Sequence, residues 1–194
     1  LRPWGGIATV AAPSRTIFAL RMQLPDFDWI FFDCFNTLID DFDQAGEEGS
    51  LLGVPQMAVD RGYFPSVEAF RAAYARIREQ SLRFGRETVL AERLRQTLQE
   101  APAKRTRDEC VATAEALLAA WETDYVKLLR PAPGVREMIE HWYGRRSLAV
   151  VTNSLVAGLP QRQLERFGLR RYFRFVLDSA THGFKKPNPL LGME

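Results

Sequence analysis

The chain of 194 residues contains only two cysteines and two histidines. Cys34 and Cys110 lie far apart and follow no metal-ligand spacing, so neither a disulfide framework nor a thiolate zinc site is expected. A reducing compartment, the cytoplasm, is the simpler setting for such a chain. His141 and His182 stand too isolated to suggest a nucleophile–histidine triad, and His182 is read as a solvated loop residue. No apolar run approaches the ~20 residues that a membrane-spanning helix needs, so no membrane partner is expected. Blocks of like charge are missing too: 26 basic residues face 24 acidic ones, for a net charge of +2. Without a basic stripe a nucleic-acid partner is not indicated, and the arginine-rich stretches 71–86 and 93–107 are read as solvated helix faces. There is no internal repeat and no low-complexity segment. What remains is ordinary globular composition, 46% hydrophobic and 26% charged, of a length that suits one domain or a core with a small inserted module.

The first 21 residues show no helical or strand period, and Met22 follows them. Their apolar stretch GGIATVAA is short and is broken by Pro13, Ser14 and Arg15, unlike the centre of a signal peptide. Residues 1–27 are therefore expected to be an extension outside the core, with the working protein starting near Met22. Next, DWIFFD (Asp28–Asp33) reads as a strand buried on both faces and ending in an acid. Helical patterning then runs to about residue 128. Ser66 caps a stripe of Val67, Phe70, Tyr74 and Ile77; Leu90, Leu94 and Leu98 form another; Thr106 and Glu109 form a capping box. PAPG at Pro131–Gly134 breaks the run, and Val135, Met138, Ile139 and Trp142 mark a short helix. Ser147–Thr152 is a second strand, Pro160 and Gly168 bracket a helix, and Phe175–Asp178 is a third strand. Strands alternating with helices predict a parallel sheet, interrupted after strand one by an all-helical block.

In such sheets ligands bind beyond the carboxyl ends of the strands, and three polar clusters fall there. They are Asp33-Cys34-Phe35-Asn36-Thr37 after strand one, Thr152-Asn153-Ser154 after strand two, and Gly183-Phe184-Lys185-Lys186-Pro187-Asn188 after strand three. An aspartate can attack an electrophile covalently, and a lysine beside it balances the charge. A threonine hydroxyl and the backbone N–H groups of a turn such as Phe35–Asn36 can hold oxygens on which charge develops. Each cluster alone is more often a solvated strand end or a turn, but their order and placement together favour a site.

On these residues the chain resembles the haloacid dehalogenase-like hydrolases with a helical cap. FFDCFNTLID is similar to the family's first motif, VVTNS to its second and GFKKPNP to its third; PAPGV resembles the return from cap to core, and QLERFGLRRYFRFVLDSA the stretch before motif three. The resemblance implies an α/β fold, a Rossmann-like doubly wound parallel core formed by residues 28–42 and 131–194, with an inserted all-helical cap at 43–130. It implies that Asp33 is the nucleophile, that Thr152 and Asn153 hold the phosphate or its equivalent, and that Lys186, directly before proline, orients both. It also implies Mg²⁺ held by Asp33, by the backbone carbonyl of Phe35 and by an acid from a fourth motif, and a small-molecule substrate.

Two departures stand out. Family phosphatases carry a second aspartate two residues after the nucleophile, as general acid; this chain has Phe35 there, and family dehalogenases are aromatic at that place. Small organic phosphates lead as the expected substrates, with a 2-haloacid as the alternative. Phe35 can also be read as simply packing under the cap, and Asp40, Asp41 and Asp43 as solvated hinge acids. The sequence also ends in LLGME where the family continues to motif four, so the core is expected to be incomplete at its C-terminus and the polypeptide a partial or decayed copy. A non-catalytic relative is the remaining alternative.

Overall fold

The computed structural model describes residues 27–40, 51–82 and 85–192; the expectations about residues 1–26, Asp41 and Asp43 lie outside them. The central element is a three-stranded parallel sheet. Strand β1 (Trp29–Phe32) pairs with β4 (Ser147–Thr152), and β4 with β5 (Val176–Asp178), in the order β1-β4-β5. Phe32 stands opposite Val150 and Thr152 opposite Asp178, so β1, β4 and β5 all run toward one rim. The link from β4 to β5 passes through helix α6 (Leu159–Arg166) and a 3-10 turn at Arg170–Tyr172. The fold class is the α/β one expected.

Between β1 and β4 the chain makes a small antiparallel ribbon of β2 (Ile39–Asp40) and β3 (Arg130–Pro131). Neither two-residue strand is readable from sequence pattern. The ribbon places Asp40, half-buried, opposite Arg130, so Asp40 belongs to a strand and is not a solvated hinge residue. Four helices rise from the ribbon: α1 (Val54–Asp60), α2 (Val67–Leu82), α3 (Leu90–Gln99) and α4 (Arg107–Leu128). Helix α5 (Val135–Trp142) then leads back to β4.

Two apolar cores form. One lies within the helical insert, where Phe70, Tyr74, Leu90, Leu94, Leu98, Leu117 and Trp121 pack together; it reaches Val156 and Leu159 beside the sheet. The other lies against the sheet and joins Leu148 and Val150 of β4 to Val135 and Ile139 of α5 and Leu164 of α6. Ile30 and Phe32 of β1 face this second core, while the alternate residues Trp29 and Phe31 point the other way and stack on each other with ring centroids 5.8 Å apart. Side chains cap the starts of α2 and α4. The Ser66 hydroxyl accepts from Ala69 N–H at 3.2 Å, and Thr106 and Glu109 satisfy each other's backbone in a full capping box.

Removing that cap is a clean test of the local account. Thr106→Ala is expected to lower stability by about 0.5–2 kcal/mol, seen as a lower urea midpoint at unchanged slope.

Candidate active site

Strand β1 delivers Asp33 to the rim, and the backbone turns at once. Leu38 and Ile39 N–H groups both donate to the Cys34 carbonyl, at 2.8 and 3.0 Å, and Asn36 N–H donates to the Ile39 carbonyl at 2.8 Å. Asn36 sits in the left-handed region at φ 59°, which asparagine tolerates better than most residues. Its amide proton is thereby committed to the turn. Next door, β4 ends at Thr152, which is buried, with its hydroxyl donating to the Asn153 carbonyl at 3.3 Å.

The third cluster follows β5 by way of a short helix α7 (Ser179–His182). Asp178 caps it, accepting from Thr181 N–H at 2.9 Å. His182, half-buried on α7 with its ring 5.9 Å from that of Phe184, is part of this helix and not a solvated loop residue. The loop after α7 brings Lys186 back across the rim. Its ammonium donates to Asp33 Oδ1 at 2.9 Å and to the Val151 carbonyl at 2.9 Å. Asn153 fixes the backbone of the same lysine from two sides: its Oδ1 accepts from Lys186 N–H at 2.7 Å, and its Nδ2 donates to the Lys186 carbonyl at 3.4 Å. The structure thus brings Asp33, Thr152, Asn153 and Lys186 together, with Asn153 acting on the lysine loop.

Two side chains beside Asp33 have defined surroundings. Cys34 is fully buried; burial first, and then the Asp33 carboxylate, push its thiol up to about 12, so it stays protonated and is a poor nucleophile. Phe35 is half-buried and touches both apolar cores, its ring 6.3 Å from Tyr125 of α4, which stacks in turn on Trp121 at 4.6 Å. It packs beneath the insert, and no proton-transferring group occupies that position.

The arginines of the insert divide. Arg71 is exposed, Arg76 forms an exposed pair with Glu100 at 2.9 Å, and Arg86 lies 5.6 Å over the Phe184 ring. Arg83 lies outside the described residues. Arg93 overturns the solvated-face reading: it is 1% exposed and pairs with Glu87 at 3.2 Å. Burial lowers the Arg93 pKa to about 10 and raises that of Glu87, while the Ser179 hydrogen bond and the Lys185 charge pull Glu87 back down. Sequence reasoning missed this pair, because Glu87 precedes α3 and the helical stripe gives no sign of an inward cation.

Among the described residues no helix is long and apolar enough to cross a membrane, and no three His, Cys, Asp or Glu side chains converge as a metal site. The donor set at the rim still suits a hard cation: the Asp33 carboxylate, about 45% exposed, and the Phe35 carbonyl are both oxygens. Magnesium is commonly held by one or two carboxylates, with water and substrate oxygens completing the octahedron.

A family model of haloacid dehalogenase-like hydrolases matches residues 27–191. Pyrimidine 5'-nucleotidase YjjG of Escherichia coli is 29% identical over 162 residues, which is 84% of this chain and 67% of that protein. A solved 2-haloacid dehalogenase of Pseudomonas syringae superposes with a TM-score of 0.62 at 23% identity, over 87% of this chain and 70% of its own. That second likeness speaks to the fold. With the three rim clusters in family order and the family match spanning nearly all of the described residues, the chain belongs to the haloacid dehalogenase-like hydrolases.

Proposed function

We propose that the protein hydrolyses small organic phosphates through a covalent intermediate on Asp33. The observation that carries this is the 2.9 Å contact between the Lys186 ammonium and the Asp33 carboxylate at the open end of the sheet. In the first step a carboxylate oxygen of Asp33 bonds to phosphorus, and the bond to the leaving oxygen breaks with its electron pair going to that oxygen. In the second, water displaces the carboxylate from phosphorus and inorganic phosphate departs. An anion must approach an anion here. Lys186 has three N–H donors; two are held by Asp33 and Val151, which leaves the third for a non-bridging oxygen. The Thr152 hydroxyl, now on a long bond to Asn153, is placed to exchange that partner for a second oxygen. Magnesium, held by Asp33 and the Phe35 carbonyl, would add charge neutralisation between nucleophile and substrate.

On this reading residues 43–130 are a cap over a core of 28–42 and 131–194, and substrate is enclosed between them. The resemblance to a nucleotidase makes nucleoside monophosphates the first substrates to try. Phe35 supports a second reading. A halide leaves without a proton, so an apolar ring in the general-acid position suits hydrolysis of a 2-haloacid, with Asp33 attacking carbon and halide departing. Between the two, phosphates lead because a sequence relative aligned over 84% of this chain is a pyrimidine 5'-nucleotidase.

Phosphate release with Mg²⁺ tests the assignment. Asp33→Asn is expected to abolish turnover and Lys186→Met to lower kcat by ~10²–10³-fold, while Cys34→Ala retains most of it. Loss in Cys34→Ala with retention in Asp33→Asn would refute the assignment, and equal background in all variants would leave a non-catalytic relative. Missing general acid also predicts a leaving-group effect: kcat/KM for p-nitrophenyl phosphate should exceed that for an alkyl phosphate by ~10²–10⁴-fold, and Phe35→Asp should narrow the gap. Chloride release from 2-chloropropionate without added metal would establish the second reading instead.

A further inference from the structure

The segment 85–90, between α2 and α3, lies across the rim and is hydrogen-bonded to both loops that flank the candidate site. Lys185 N–H donates to the Gly85 carbonyl at 3.0 Å, Glu87 N–H to the Gly183 carbonyl at 2.9 Å, and Leu90 N–H to the Leu155 carbonyl at 2.8 Å. Asn188 adds a weaker bond from Nδ2 to the Gly85 carbonyl at 3.4 Å. Gly85 is held at φ +63°, and a Cβ there would come within 3.0 Å of Asn188 Nδ2, so a bare backbone is needed for this approach.

At the middle of the segment the Glu87 side chain turns inward and is only 3% exposed. One carboxylate oxygen takes Arg93 Nη2 at 3.2 Å, and the other takes the Ser179 hydroxyl at 2.7 Å. That hydroxyl has a single proton and two acceptors in reach, Glu87 Oε2 and, at 3.2 Å, the Ser154 carbonyl. The nearer, charged acceptor wins it. The hydroxyl oxygen is then free to accept from Ser154 N–H, which it does at 2.9 Å. Ser154 follows Asn153, whose side chain clamps the Lys186 backbone. A chain of short bonds therefore runs from an insert residue through Ser179 and the β4 loop to the lysine that meets Asp33.

We propose that Glu87 is a positioning residue, which sets the orientation of the Ser179 hydroxyl and thereby holds the Thr152–Ser154 loop and the Lys186 loop in their mutual geometry. It touches no reacting atom. The inference rests on the hydrolytic reading of Asp33 and Lys186. Its charge and its hydrogen bond do different work. The charge pairs with Arg93 and acts on Lys185, whose ammonium nitrogen is buried without a hydrogen-bond partner, so neutralising Glu87 removes the compensation for both cations. The hydrogen bond orients the loop. Glu87→Gln removes the charge and keeps an acceptor for Ser179; Glu87→Ala removes both; Ser179→Ala removes the link alone.

The test is a comparison of these variants in the full chain, assayed well below their melting temperatures. Glu87→Ala and Ser179→Ala are each expected to lower kcat by roughly 10–100-fold, as a small misplacement of catalytic groups does, with KM changed far less. Their double variant should be no worse than either alone. Glu87→Gln should recover kcat to within a few-fold of the parent while still melting lower. Amide exchange supplies a readout independent of turnover: peptides covering 153–156 and 183–188 should exchange faster in Glu87→Ala and Ser179→Ala than in the parent or Glu87→Gln. If the parent turns over and kcat is unchanged in both Ala variants, Glu87 is structural only and the inference is overturned. If the parent turns over nothing, the hydrolytic reading has failed by itself, and exchange decides the positioning claim: faster loops sustain it, unchanged loops overturn it. Should Glu87→Ala not fold, Ser179→Ala carries the same readouts.

Discussion

An ammonium and a carboxylate that meet at 2.9 Å across the sheet rim set the terms for the rest of the molecule. Their residues, Asp33 and Lys186, are brought together only because β1 and β4 run parallel as neighbours and the chain after β5 returns across their ends. The pair does little to hold the fold. Both side chains are more than a third exposed, and exposed pairs of this kind contribute about 0–1 kcal/mol. On the proposed reading its value is chemical: a fixed cation beside a carboxylate lets a second anion approach. The supporting bonds are arranged accordingly. The Val151 carbonyl takes a second ammonium proton, and Asn153 holds the lysine backbone from both sides.

The helical insert is tied to the sheet along three lines of different strength. On one side Arg162 of α6 pairs with Glu122 of α4, and Arg166 donates to the Val126 carbonyl. These contacts are exposed and therefore weak. In the middle, Phe35 meets Tyr125 across an apolar seam. On the other side the Gly85–Leu90 segment carries three backbone bonds and accepts the Ser179 hydroxyl on the buried Glu87 carboxylate at 2.7 Å. The insert is thus fastened most firmly beside the loops that carry Asn153 and Lys186.

Much of this was legible in the sequence, for reasons that can be named. The β1, β4 and β5 strands are apolar runs ending at a polar residue, and β4 is largely buried, but β1 is not buried on both faces as its sequence suggests: Trp29 and Phe31 are exposed. Thr106 and Glu109 announce the start of α4 because a capping box is entirely local. The β2–β3 ribbon was not legible, since Ile-Asp and Arg-Pro have no pattern until the fold sets them side by side. Arg93 misled for the same reason: on a helical wheel it is one more solvated cation, and only its tertiary partner Glu87 makes an inward position tolerable. The site's residue types could be read from the order of the clusters. Asn153's grip on Lys186 could not, because it depends on how the loop after α7 folds back.

Phe35 shows how the fold and the chemistry constrain each other at one position. Its ring touches both apolar cores and the insert at Tyr125, so it is part of the seam joining insert to sheet. Full burial of such a side chain is worth about 1.5–3 kcal/mol, and the half-buried Phe35 gains part of that. A carboxylic acid in its place would forgo that packing and would have to be kept hydrated or hydrogen-bonded beside an apolar wall. In return it would supply a proton to the leaving group, worth ~10²–10⁴ in rate, or about 3–5 kcal/mol of barrier. The first is a matter of folding stability and the second of rate, so one does not compensate for the other. With phenylalanine, stability at the seam is kept and the barrier rises only for leaving groups that need a proton. On the proposed hydrolytic reading, a departing group that is already a stable anion is the one least affected by phenylalanine at this position.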